Sequence, residues 1–141
     1  MVPRLLAVTF LLVLVAGAAW VGSPHGAPAT EGGTFAVTVR DPDGHVFWNG
    51  QVAVNASAAT PLGTLQAAAQ RGGFGLDLEP TAMGVYVRGI GPYEETTSAG
   101  WCYFIDAGSG FRWVPEAADG RVLHPGERVL WSWNAAASGA C

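Results

Sequence analysis

Four large rings fall on two short strand-like runs near the end of the chain: Trp101 and Tyr103 in residues 101–105, and Trp131 and Trp133 in residues 128–133. Each ring has an apolar face of about 150–250 Å². Grouped on one surface they could stack a flat ligand, grip a sugar or dock a partner protein. Tyr93, in a ten-residue connection (residues 91–100), and Trp113, in a longer one (residues 107–127), are the further candidate contacts. The competing role for all six is ordinary core. Cys102 lies between Trp101 and Tyr103, and Cys141 ends the chain. An even cysteine count in an oxidising compartment favours a disulfide. Closing that loop is worth about 4 kcal/mol in the chain-entropy model.

Other reactive residue types form no working set. Asp41-x-Asp43-Gly44 is like the start of a calcium loop, but the twelfth position is Val52 where a bidentate glutamate is needed. The segment reads as a turn. His25, His45 and His124 stand at no zinc-ligand spacing, so no metal site is expected. Glu94 and Glu95 are adjacent, which does not place two carboxylates across a scissile bond. No nucleophile elbow, His-Glu-x-x-His or phosphate loop occurs, and the expectation is a protein that is not an enzyme and needs no cofactor.

The elements that must position these residues begin after an N-terminal address. Arg4 precedes an apolar run from Leu5, and Ala16-Gly17-Ala18 offers small residues where a signal peptidase cuts. Residues 1–22 are a signal peptide, or a membrane anchor if the run is retained. Both readings put the rest of the chain outside the cytoplasm, secreted or tethered to the membrane by that segment. Residues 23–33, rich in Pro, Gly and Ala, form a flexible linker. Residues 34–134 are the folded domain, enough for one modest core, and residues 135–141 a tail.

The net charge is −4 and the chain has no lysine, which argues against nucleic acid and anionic membrane surfaces as partners. Phe35, Val37 and Val39 alternate with smaller residues, and Asp41-Pro42-Asp43-Gly44 turns the chain into a second alternating run through Val46 and Val54. Asn49-Gly50 is itself a tight-turn signal. Thr60-Pro61 opens a helix whose apolar stripe (Leu62, Leu65, Ala69) is thin, and Gly72-Gly73 ends it. Residues 74–82 show little period and read as a loop, and three strands follow. The expected fold class is α+β: a β-grasp-like mixed sheet of about five strands packed on one helix. The thin stripe cannot cover four rings. Either the 107–127 loop, with Phe111 and Trp113, folds over them or they are left for a ligand.

Four segments in this order resemble the transcobalamin-like C-terminal domain family: TPLGTLQAA from Thr60, GVYVRGIGP from Gly84, Trp101-x-Tyr103-x-Ile105, and Leu123-x-x-Gly126-Glu127-x-Val129-x-Trp131. The likeness covers the whole of residues 34–134. In vitamin B12 carriers of this family such a domain closes over the corrinoid from one side, while a helical domain supplies most of the site. The resemblance therefore implies a non-catalytic module that binds cobalamin, another corrinoid or another small ligand. The alternative is a cell-surface structural or adhesion-type module whose rings meet an extracellular or membrane protein. The 141 residues contain no helical domain, and Cys102 and Asp106-Ala107-Gly108 depart from the family pattern.

Overall fold

The computed structural model describes residues 32–134. The signal or anchor segment, most of the linker and the 135–141 tail lie outside the described residues. Within them no helix is long and apolar enough to cross a membrane.

Strand β1 (Gly33–Arg40) buries Phe35, Val37 and Val39, the parity its alternation implies, and pairs antiparallel with β2 (Val46–Val54). The Asp41 carboxylate builds the turn between them by accepting from the Asp43 and His45 amides at 3.0 and 2.9 Å, while Gly44 supplies φ 84°. Asn49-Gly50 does not turn; both residues pair within β2. The glycine is needed there for a different reason. A Cβ at Gly50 would sit 2.9 Å from the Trp48 ring.

After a 3-10 turn at Ala56–Ala58, helix α1 spans Pro61–Gly72. Thr60 Oγ1 accepts from the Gly63 amide at 3.0 Å, proline occupies the first turn, and Gly73 ends the helix at φ 70°. Leu62, Leu65, Ala68 and Ala69 are buried, and the helix packs across β1 and β2.

Strands β3 (Leu76–Thr81), β4 (Gly84–Ile90) and β5 (Tyr93–Glu94) form a separate antiparallel sheet in the order β3-β4-β5. Residues 76–81 are thus a strand and not a loop. Leu76 and Leu78 alternate with exposed Asp77 and Glu79, and Pro80 is tolerated because β3 is an edge. Strands β6 (Gly100–Asp106), β7 (Phe111–Trp113) and β8 (Arg128–Asn134) complete a five-stranded sheet ordered β2-β1-β8-β6-β7. The β1–β8 pair is parallel and the other pairs are antiparallel, so this sheet is mixed.

The architecture is α+β, with two sheets and one helix. The first of the three strands expected after residue 82, β4, belongs to the second sheet and not beside β6 and β8 in the first. Registers set the core in rows across the large sheet: Trp48, Val39, Trp131 and Tyr103 form one, and Gly50, Val37, Val129 and Ile105 the next. Helix α1 covers the β1–β2 end of these rows. At the β8–β6 end the cluster is closed by Val87 and Ile90 of β4 and by Ala118 and Leu123.

Candidate functional site

The β6–β8 register pairs Trp101 with Trp133 and Tyr103 with Trp131. All four rings therefore stand on one face of the sheet. Trp101 and Trp133 meet edge to face, 5.4 Å between centroids and 88° between planes; Tyr103 and Trp131 are 5.6 Å apart at 45°. They do not make an open platform. Trp101, Tyr103 and Trp131 are buried, and only Trp133 is half-buried.

Their cover is the 114–123 segment together with β4. The segment is pinned at four points: the Tyr103 hydroxyl donates to the Glu116 carbonyl at 2.6 Å, the Leu62 amide to Ala118 at 2.9 Å, the Leu123 amide to Ala59 at 2.8 Å, and the Val85 amide to the Asp119 carboxylate at 3.0 Å. Burial, aided by the nearby Glu116 charge, pushes the Tyr103 phenol up to about 12, so at neutral pH it remains a donor. The 107–127 connection does fold over the rings, but not with the side chains expected. Phe111 and Trp113 stay exposed, and Phe111 lies under the Arg128 guanidinium at 5.3 Å. Small residues make the lid instead.

Because that lid is small, it leaves a groove of about 330 Å³ between β4 and the β6–β8 face. Trp101, Tyr103 and Trp131 line it from the sheet, Val85 and Val87 from β4, Trp113 from the end of β7, and Val114 to Ala118 from the covering segment. Glu116 is the one carboxylate residue in its lining. The indoles differ in a way that matters. Trp101 Nε1 donates to the Tyr93 carbonyl at 2.9 Å, whereas Trp131 Nε1 is buried with no hydrogen-bond partner among the described residues. Of the six candidate contacts, Trp101, Tyr103, Trp113 and Trp131 meet at the groove. Tyr93 and Trp133 do not line it. Tyr93 contributes the backbone acceptor, and its own ring packs edge-on to Phe47 at 5.6 Å.

Met83, Val85 and Val87 also line the groove and were not among the candidates. The alternation of β4 was visible in the sequence, but not that this strand lies over β6 from another sheet. Glu94 and Glu95 serve that second sheet. Glu95 pairs with Arg88 at 3.0 Å, and Arg88 reaches Glu79 at 3.4 Å. The Glu94 carboxyl is raised, by desolvation first and then by its hydrogen bond with Asp77. Ligand atoms of Asp41, Asp43 and His45 lie within 4.8 Å of one another, but the Asp41 carboxylate is engaged by the turn amides.

On the opposite face of the large sheet, Asp106 is buried at the end of β6. It accepts from the Gly108 and Gly110 amides at 2.7 and 3.0 Å and from Arg128, which lowers its pKa; the Gly108 amide is the largest cause. Cys102 is buried and is not a free thiol. Its expected partner, Cys141, lies outside the described residues.

No family model matches the sequence, and no curated protein matches it. Solved structures match the fold. Haptocorrin in complex with Cbi superposes with a TM-score of 0.65 at 17% identity, over 76% of this chain and 26% of haptocorrin. A proposed metal binding protein from Ruminococcus gnavus superposes with a TM-score of 0.52 at 15% identity, over 73% of this chain and 97% of that one. At these identities the likeness is one of fold. The chain matches about a quarter of haptocorrin's length but nearly all of the bacterial protein, so the fold occurs both within a larger chain and almost alone.

Proposed function

We propose that the protein is an exported, non-catalytic ligand-binding module of β-grasp type, and that its ligand lies in the groove between the two sheets. One observation carries this reading: a predominantly apolar groove of about 330 Å³ lined by three core rings. Small-molecule sites are typically apolar clefts of about 300–1,000 Å³ with few polar groups. This one is at the low end. It suits a two- or three-ring molecule, or the edge of a larger flat one such as a corrinoid whose remainder is held by another chain. The fold shared with haptocorrin, solved in complex with Cbi, makes a corrinoid the first ligand to test. The absence of catalysis is argued from the lining, where a lone carboxylate residue has no paired acid or base. Export rests on the N-terminal apolar run and its small-residue cleavage site.

The test is a titration of the protein with cobinamide and cobalamin, followed by corrin absorbance and tryptophan fluorescence. A saturable change in both signals is the expected result. No change at high micromolar ligand removes stand-alone corrinoid binding.

A second reading, an interaction module for an extracellular or membrane protein, draws on Met83 and Trp113, which line the groove yet are 89% and 47% exposed. In that case Trp113→Ala abolishes partner capture while leaving the fold intact, and neither corrinoid binds.

A further inference from the structure

The geometry points to the Trp131 indole N–H as a hydrogen-bond donor for the ligand, which makes that ligand a flat apolar ring system carrying a neutral acceptor such as a ring ketone or amide carbonyl. This rests on the groove reading above and narrows it to a chemical class.

Three polar ring groups belong to the buried aromatics that line the groove, the rings of Tyr86 and Trp113 being exposed. Two are occupied: Trp101 Nε1 by the Tyr93 carbonyl and the Tyr103 hydroxyl by the Glu116 carbonyl. Trp131 Nε1 alone among them has no partner, although its residue is 2% exposed. Leaving a buried donor unpaired costs about 1–3 kcal/mol, and folded proteins keep few such groups. The ring lies 5.6 Å from Tyr103 at 45°, and a phenylalanine would keep an apolar ring in the row, though a smaller one, without carrying an unpaired N–H. Besides its size, what tryptophan adds here is the donor.

An indole N–H can only donate, so the group that satisfies it is an acceptor. The acceptor is neutral because the surroundings are unfavourable to an anion. The chain carries a net charge of −4 and the groove already contains the Glu116 residue, with no arginine in its lining. The nitrogen is closed to water. An acceptor reaches it from the groove by parting the lining slightly.

Two probes sharing one bicyclic frame test this: 1-indanone, which carries a carbonyl, and indane, which does not. Both are titrated into ¹⁵N-labelled protein while the indole N–H signals are followed, with the Trp131 signal assigned sequentially and checked in Trp131→Phe. The expected result is that both probes shift groove signals, that only indanone moves the Trp131 indole proton downfield, and that Trp131→Phe weakens indanone roughly tenfold more than it weakens indane. Binding of both probes with a stationary Trp131 signal, or a Trp131→Phe variant that weakens indanone no more than it weakens indane, overturns the donor assignment and leaves the groove reading standing. If neither probe shifts any groove signal up to its solubility limit, the groove reading fails and the donor assignment fails with it. Should Trp131→Phe not fold, the comparison of the two probes on the unaltered protein decides the matter alone.

Discussion

Tyr103 and Trp131 stand opposite each other across the β6–β8 ladder, ring centroids 5.6 Å apart, and both are closed to solvent on one side while lining a groove on the other. The same two rings are core and groove wall. A substitution there changes stability and binding together, whereas one at the groove's exposed side separates them.

Trp131→Ala should therefore cost about 3–5 kcal/mol, the range for truncating a buried tryptophan. That is a large share of the roughly 5–15 kcal/mol holding a domain together. Trp113→Ala, at an exposed site, should change stability by no more than about 0.5 kcal/mol yet lower ligand affinity. Urea unfolding of the two variants checks the contrast; similar midpoints would mean that Trp131 is not core.

Tyr103 links stability to alkaline pH. Its phenol is raised from the ordinary 10.0 to about 12, chiefly by burial. A group raised in the folded state stabilises fully below its unfolded value and loses that contribution as pH climbs through its folded one. Stability should fall between pH 10 and about 12. Tyr103→Phe, which loses the bond to Glu116, should cost about 1 kcal/mol at neutral pH and flatten that alkaline slope. Melting curves across the range provide the measurement.

Asp106 acts at the other end of the scale. Its carboxyl is lowered, first by the Gly108 amide and then by Arg128. The stabilisation is present above the ordinary value of 3.8 and disappears as pH falls through the lower folded value. Asp106→Asn should melt earlier than the unaltered protein at neutral pH, and the difference should close in strong acid. A gap that stays constant from pH 7 downward would show that the charge plays no part.

Gly63 tests a conflict between two effects. Alanine improves helix propensity by about 1 kcal/mol, but a Cβ at Gly63 would lie 2.1 Å from the Ala58 carbonyl oxygen. The clash involves backbone, which cannot swing aside, so Gly63→Ala should destabilise by about 1–3 kcal/mol. Gly75→Ala, where a Cβ meets nothing within 4 Å, should be neutral or stabilising by up to about 1 kcal/mol. Chemical denaturation of both distinguishes sterics from propensity.

The Cys102–Cys141 pairing expected from the sequence is open to thiol titration. The protein should show no reactive thiol under denaturing, non-reducing conditions. Cys141→Ser should lower stability by up to about 4 kcal/mol. Two titratable thiols in the unfolded, unreduced protein would exclude the bond.

Local chemistry made much of this molecule legible before any coordinates. The β1–β2 hairpin follows from strict alternation around a Pro-Asp-Gly turn, and α1 from a Thr-Pro start and a Gly-Gly stop. In each case the residues that decide the structure are within a few positions of one another. Parity also assigned Trp101 with Tyr103, and Trp131 with Trp133, to a face apiece. Strand β3 was missed because Pro80 masks a short alternation, and edge position, which makes that proline harmless, is not a local property.

Sequence alone thus determined the helix, the five strongly alternating strands and the side of each on which its rings stand, because the period of a strand is a property of its own backbone, while the short strands β3, β5 and β7 were read as connections. Tertiary structure decided which strands are neighbours. Any strand can offer its hydrogen bonds to any other, so only packing could align Tyr103 with Trp131, set β1 parallel to β8, and place β4 over the rings from a second sheet. Whether an indole is satisfied depends on the same long-range choice. Tyr93 on the second sheet supplies an acceptor for Trp101, and no described residue supplies one for Trp131.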